Sequence, residues 1–329
     1  MSRTNLRIGT SGWNYPSGRG TWNGVFYPDP RPRGFDELAY YAEHFDTVEV
    51  NSTFYGEPRD ATTRAWVRRT PPGFEFSLKL YRKFTHPKMY GEAVGASAGL
   101  PEPLPAQLVA PTPVDVDRFR RGIDPIASSG RLGAMLAQFP PSFKDTDGTR
   151  AYLAWLLGAF ADYPVAVELR HRSWSDNLAA TLSLLDGFGA AWTQIDEPKF
   201  RCSIRQNLLP NVRAFYYLRL HGRNAAAWWR HDQVEDRYDY LYPADELRPY
   251  ADAAIAVRQL VKKMYLYLNN HFAAKSVANA VMIKRMLGEP VEGSYPQAFV
   301  DRYAGLRDAV RVTPILGQAP LMTQSPHRG

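Results

Sequence analysis

Cysteine is nearly missing from this 329-residue chain: Cys202 stands alone, which excludes internal disulfides and thiolate metal clusters. No apolar run reaches the roughly 18 residues that a membrane-spanning helix needs. The opening MSRTNLRIGT has no apolar stretch of the kind that begins a secretory signal, so the expected compartment is the cytoplasm. The nucleotide fingerprints G-x-G-x-x-G and G-x-x-x-x-G-K-[ST] are absent, and GTSGWNYPSGRG (9–20), with its glycines at the wrong spacing, reads as a loop. An arginine-rich arm is absent too. The 40 Lys and Arg against 33 Asp and Glu give +7 dispersed along the chain, which favours anionic partners without specifying nucleic acid.

What is present is apolar and regular. At 45% hydrophobic and 13% aromatic the chain buries a sizeable core. Eight short segments read as strands: 6–13, 47–54, 74–80, 131–139, 165–170, 190–196, 215–222 and 264–270. Helical spacing follows most of them, as in Phe35, Leu38, Ala42 and Phe45, or Leu178, Leu182 and Leu185 behind a cap at Ser175 or Asp176, or Leu247, Ala251, Ile255 and Leu260. Further helices are expected at 61–69, 115–128, 149–160 and 274–287. Repeated strand-helix alternation predicts an α/β fold, specifically a closed, eight-stranded parallel (β/α)8 TIM barrel; a doubly wound sheet is the alternative. One domain over 1–313 is expected, with an Ala/Pro-rich, aperiodic, flexible insertion at 91–113 after the third strand and a disordered tail at 314–329.

Alternate residues of a strand face opposite sides, so each strand sorts into two sets. Val48 and Val50 oppose Glu49 and Asn51; Phe76 and Leu78 oppose Ser77 and Lys79; Val167 and Leu169 oppose Glu168 and Arg170. Thr193 and Ile195 oppose Gln194 and Asp196; Leu218 and Leu220 oppose Arg219 and His221; Leu266 and Leu268 oppose Tyr267 and Asn269. A charge beneath a helix would be desolvated without a partner, so the polar set, with Gln138, is expected to point into the barrel near the C-terminal strand ends. It balances Glu49, Glu168 and Asp196 against Lys79, Arg170 and Arg219. A buried ion-pair network is one reading; a functional pocket is the other, because apolar residues would stabilise the interior at least as well.

The blocks IGTSGW, FDTVEVNSTFY, FSLKLYRKFTHP, AQFPPSF, VELRHRSW, YLRLHG and YLNNHFAAKSVANA, in this order over residues 6–287, resemble those of the DUF72 (YecE-like) family. The resemblance implies a TIM barrel and no particular reaction. Two departures concern the rim: the 91–113 insertion, and FAAKS after Asn270-His271, where a glycine is more usual.

Three chemistries suit the polar set. The first is acid/base catalysis on a small anionic or phosphorylated substrate, with Glu168, His221, Asp196 and Glu49 as catalytic candidates. Lys79, Arg170 and Arg219 would take substrate anions, while Asn51, Gln138, His171, Trp174, Asn269, Asn270, Trp13 and Tyr55 would orient the substrate or shape the rim. No cofactor and no metal ligands are predicted. The second is a divalent-metal site of sugar-isomerase or endonuclease type, drawing on Glu49, Glu168, Asp196, His171, His221 and His271. The third is non-catalytic binding of a nucleotide or nucleic acid by a basic mouth ringed with Trp13, Trp22, Tyr55, Trp174, Trp228 and Trp229.

Overall fold

The structure, a computed structural model, describes residues 5–99, 104–229 and 232–313. The expected tail and residues 100–103 of the expected insertion lie outside the described residues. The apolar segments form β1 (Leu6–Thr10), β2 (Thr47–Val50), β3 (Glu75–Lys79), β4 (Leu132–Gln138) and β5 (Val165–Glu168). The sixth segment is divided into β6 (Ala191–Trp192) and β7 (Gln194–Asp196), and β8 (Tyr216–Leu220) and β9 (Met264–Leu268) follow. They pair in parallel as two sheets, β1-β9-β8-β7 and β2-β3-β4-β5-β6. This is an α/β fold with parallel sheets, consistent with a TIM-like barrel.

The hydrogen bonds do not run on as the one closed ladder expected from the sequence, and side chains account for both seams. Between β1 and β2 the Tyr41 hydroxyl accepts from the Thr10 N–H at 2.9 Å and donates to the Thr47 carbonyl at 3.1 Å, so it intercepts groups that would otherwise bond strand to strand. One bridge, Ser11 with Glu49, remains at that seam. Gly9 lets the backbones come this close, because a Cβ there would lie 2.4 Å from the Thr47 carbonyl oxygen. At the second seam the chain changes partner around Thr193: β6 pairs with β5, β7 with β8. The Trp192 and Ile195 N–H groups donate to the side chains of Asn211 and Gln206 at 2.7 and 2.9 Å. Gln206 in turn donates to the Thr193 carbonyl.

The helices begin where side chains can accept the first free N–H groups. Asp36 caps Glu37–Ala42, and Thr112 and Thr146 open Pro113–Ser128 and Asp147–Ala159 with capping boxes. The helix after β5 differs from expectation: Ser175 donates to the Arg172 carbonyl, and Leu178–Gly187 starts at Asn177 with no side-chain cap. Residues 91–98, expected to be aperiodic, continue the helix Pro87–Ala98, which Gly99 ends at φ 64°. A short helix at Ala106–Val109 brings Val109 against Gly91. Alanine favours a helix without needing an apolar period.

Inside, Ala134, Leu136 and Ala166 of one sheet pack with Tyr217, Tyr265 and Tyr267 of the other. That shared inner face carries the polar strand ends. No helix among the described residues is long and apolar enough to cross a membrane.

Candidate functional site

Strand alternation puts Glu49, Lys79, Gln138, Glu168 and Arg219 on the inner face, and register aligns Gln138 with Glu168. Arg219, fully buried, joins the two sheets. One terminal nitrogen donates to Glu49 at 2.7 Å; the other donates to Gln138 at 2.9 Å and to Glu168. Glu49 also accepts from Ser11 and Tyr217, both at 2.7 Å, so its lone pairs are largely committed. Glu168 accepts from Arg170 Nε at 2.7 Å as well. Burial works to raise the Glu168 pKa, but Arg219, Arg170 and His221 outweigh it and hold the carboxyl well below its ordinary range. His221 is buried beside them, with Asn269 Nδ2 2.8 Å from its Nδ1. Burial lowers its pKa to about 3, so the imidazole is neutral.

Lys79 differs from its neighbours. Its ammonium lies 4.0 Å from the Phe54 ring centroid and forms no ion pair among the described residues, the adjacent carboxylates being claimed by arginine. Burial first, then the Arg219 and Arg170 charges, lower its pKa to about 7. His86 stands edge-on to the same Phe54 ring at 5.0 Å and is lowered to about 3 by burial and by Lys79. Glu197 Oε2 faces Arg170 at 3.2 Å but, buried, accepts no hydrogen bond among the described residues; burial raises the Glu197 pKa. Nearer the solvent, Arg82 and Arg237 both act on the exposed Tyr55. Neither makes an ion pair among the described residues, and the Nε of each is buried without a hydrogen-bond partner.

The remaining sequence candidates scatter. Asp196 was expected to face inward; register pairs it with Leu220, so it faces the helices. There Arg223 donates two bonds to it (2.8 and 3.1 Å), and Tyr242 and Tyr250 donate at 2.7 and 2.5 Å. A charge beneath the helices is stable here because these partners arrive with the helix layer. Gln194 shares that side, and Ile195, aligned with Arg219, takes the inner one. Trp13 packs edge-on against Trp66, and Trp174 is fully buried and stacked on Phe143, so neither lines the mouth. Trp22 is buried too, while Tyr55 and Trp229 are exposed. His171 pairs with Ser173 in the loop after β5. Asn270 donates to the Tyr240 carbonyl and to Asn279, which ties a loop to a helix. Asn51 donates to the Ser11 carbonyl at 3.3 Å, at the seam. Among the described residues no group of three or more His, Cys, Asp or Glu side chains is arranged to hold a metal ion.

Sequence reasoning missed Glu197, His86, Arg82 and Arg237. Glu197 was within reach, because it alternates with Asp196 and falls inward once Asp196 is turned outward.

A parallel α/β fold with a charged inner cluster at its strand ends defines the class of protein. The family model described as "Protein of unknown function DUF72" matches residues 7–301, and the chain belongs to that family. The chain is 28% identical to the UPF0759 protein YunF of Bacillus subtilis (strain 168), over 89% of this chain and 98% of that protein. It is also similar to the crystal structure of a DUF72 family protein from Thermotoga maritima, at 31% identity and a TM-score of 0.68, covering 86% of this chain and 99% of that one. A DUF72 family protein from Enterococcus faecalis, at 24% identity over 86% of this chain and 95% of that one, shares the fold with a TM-score of 0.69.

Proposed function

We propose that the two sheets wrap as a TIM barrel and that their inner C-terminal ends form the active site of an enzyme acting on a small anionic substrate. The observation that carries this is Lys79. A self-contained ion network neutralises all of its members, as Arg219 does between Glu49 and Glu168. Stability alone gives no reason to hold an amine beside two arginines without a carboxylate of its own.

Environment divides the acid/base roles. Lys79, lowered to about 7, is the group able to exchange a proton near neutral pH, while burial raises Glu197 above its ordinary range beside Arg170. Glu168, held ionised by two arginines, is a weak base and serves to orient Arg170 and Arg219. His221 and Glu49 act in the same supporting way. Arg82 and Arg237, rather than the buried Arg219, would receive the substrate's anionic group.

Titration with inorganic phosphate and a panel of phosphorylated and carboxylate metabolites, read by thermal shift, tests the reading. The wild type is expected to be stabilised by at least one of them, with about tenfold weaker binding in Arg82→Ala and Arg237→Ala. Equal affinity in all three proteins would sink it.

One observation favours a second reading, non-catalytic binding of a nucleotide or nucleic acid. A surface hollow of about 440 Å³ is lined by Arg172, Lys199, Arg201 and Arg205. Phe200 in the same hollow packs on the exposed Trp229 at 5.6 Å. Oligonucleotide binding that weakens steeply with salt and is lost in Arg201→Ala would select this reading.

A further inference from the structure

We infer that Lys79 is a covalent centre, whose amine condenses with the carbonyl carbon of an anionic aldehyde, ketone or oxo acid. The inference rests on the inner cluster being an active site and names the substrate class for it.

A nucleophile has to be held still, uncovered and neutral. Lys79 is held at the end of β3: Thr53 Oγ1 donates to its carbonyl at 2.6 Å, and the next N–H donates to Leu136 at 2.9 Å. Its Nζ is fixed over Phe54, a ring braced edge-on by His86 and Tyr55. The side chain is half-buried, unlike Glu49, Glu168 and Arg219 beneath it. Charged and titratable groups face it from every side: Arg219 from β8, Glu168 and Arg170 from the end of β5, Glu49 from β2, and His86 after the helix Arg82–Thr85. The carboxylates in that set are engaged by Arg219 and Arg170, and none reaches Lys79 within ion-pair distance among the described residues. The environment that denies the ammonium a counter-ion also keeps a fraction of the amine free near neutral pH. A primary amine with a depressed pKa and no salt bridge is the form of lysine that makes Schiff bases. Arg82 and Arg237 are charged neighbours of the exposed Tyr55, whose ring stands edge-on to Phe54, and they would take the anionic end of the same molecule.

The step balances without a further reagent. The Nζ lone pair forms the C–N bond while the carbonyl π pair moves onto oxygen. That oxygen takes one proton from Nζ and one from solvent, then leaves as water with the C–O pair. As water leaves, the nitrogen lone pair closes the C=N bond, and nitrogen keeps one hydrogen and the positive charge of the protonated imine.

Borohydride trapping tests this. The protein is incubated with pyruvate, with dihydroxyacetone phosphate or with neutral hydroxyacetone, reduced with sodium borohydride, and mapped by peptide mass spectrometry. With pyruvate or dihydroxyacetone phosphate, the expected adduct is on Lys79, in about tenfold or greater excess over any other lysine at pH 7.5. Its labelling rate should rise with a midpoint near 7 rather than the ordinary 10.5. Arg82→Ala should lower labelling by dihydroxyacetone phosphate and leave labelling by hydroxyacetone unchanged. Lys79→Met and Lys79→Arg should lose the adduct while still melting cooperatively. Adducts spread evenly over exposed lysines, or none on Lys79 with either anionic probe, overturn the inference. If the phosphate-induced thermal shift persists in that case, the active-site reading stands and only the covalent step falls; if the shift is absent too, both fall.

Discussion

Glu168 and Asp196 each end a strand, each is buried, and each accepts from arginine, yet they face opposite sides of their sheets. Around Asp196 the accounting closes, with four donors for four lone pairs, all from Arg223, Tyr242 and Tyr250. Around Glu168 it does not. The terminal nitrogens of Arg170 and Arg219 find carboxylates, but among the described residues Lys79 beside them forms no ion pair, and Glu197 Oε2 and Arg219 Nε are buried without a hydrogen bond. Burial and charge are therefore common to both clusters, and unmet valence separates them. The outer cluster fastens Arg223, Tyr242 and Tyr250 to β7, whereas the inner one keeps unmet polar groups, which the proposed active site assigns to a ligand.

The largest effect should come from Glu168→Gln. It removes the charge that Arg170 and Arg219 share, and leaving buried guanidinium groups uncompensated costs about 3–5 kcal/mol. Urea unfolding measures this, and adding Arg219→Met should restore part of the loss. If Glu168→Gln unfolds at the wild-type midpoint, the inner cluster is not a coupled network.

Asp196→Asn should cost less, about 1.5–3 kcal/mol, because Arg223 is partly solvated and the tyrosine hydroxyls still find an acceptor. It should leave anion binding and Lys79 labelling unchanged. A loss of either would erase the distinction between the two clusters.

Alternation located the inner residues of β2, β3, β5, β8 and β9, since strand parity follows from backbone geometry alone. It misled at Asp196 because a second rule was laid over it, that charge avoids the helix side. The partners that break this rule lie 27 and 54 residues away in Arg223 and Tyr250, and nothing local announces them. Lys79 was readable as an inward cation but not as an unpaired one, because that depends on Arg219 having claimed Glu49 and Glu168 across the two sheets. The split of the ladder was hidden for a similar reason: the Tyr41 hydroxyl and the Gln206 amide are loop and helix side chains standing in for strand neighbours.

Acidity should act on the inner cluster through its buried histidines. His86, His221 and His271 are each lowered by burial to about 3, against an ordinary 6.5. Between those values the unfolded chain binds more protons, so stability falls as pH drops through 6.5 towards 3. His221→Gln should flatten that limb in pH-dependent melting; an unaltered limb would mean that His221 is not buried neutral. Lys79 contributes on the alkaline side. Its folded value near 7 lies below the unfolded 10.5, so its penalty is complete below pH 7 and fades as pH rises towards 10.5. Lys79→Met should therefore stabilise the protein more at pH 6 than at pH 10, and a pH-independent gain would assign the effect to packing.

The smallest expected change lies on the rim of the inner cluster, where β9 passes through Asn269 and Asn270 into the next helix. Ala273 and Ala274 sit there at φ 51° and 62°, a left-handed conformation that costs an L-residue with a Cβ about 1–2 kcal/mol. Tertiary bonds hold them: the Ala273 N–H donates to the Gly20 carbonyl at 2.9 Å, and Tyr303 donates to the Ala273 carbonyl at 2.5 Å. Glycine at either position relieves the strain but gives back part of the gain as chain entropy in the unfolded state. Ala273→Gly and Ala274→Gly should thus each stabilise by only about 0.5–1 kcal/mol in urea unfolding. Phosphate affinity should move by less than about twofold, since neither alanine carries a group that could hold the anion. A large loss of affinity in the glycine variants would instead show that the strained rim positions the pocket, and would extend the inner cluster's unmet demands to the backbone that frames it.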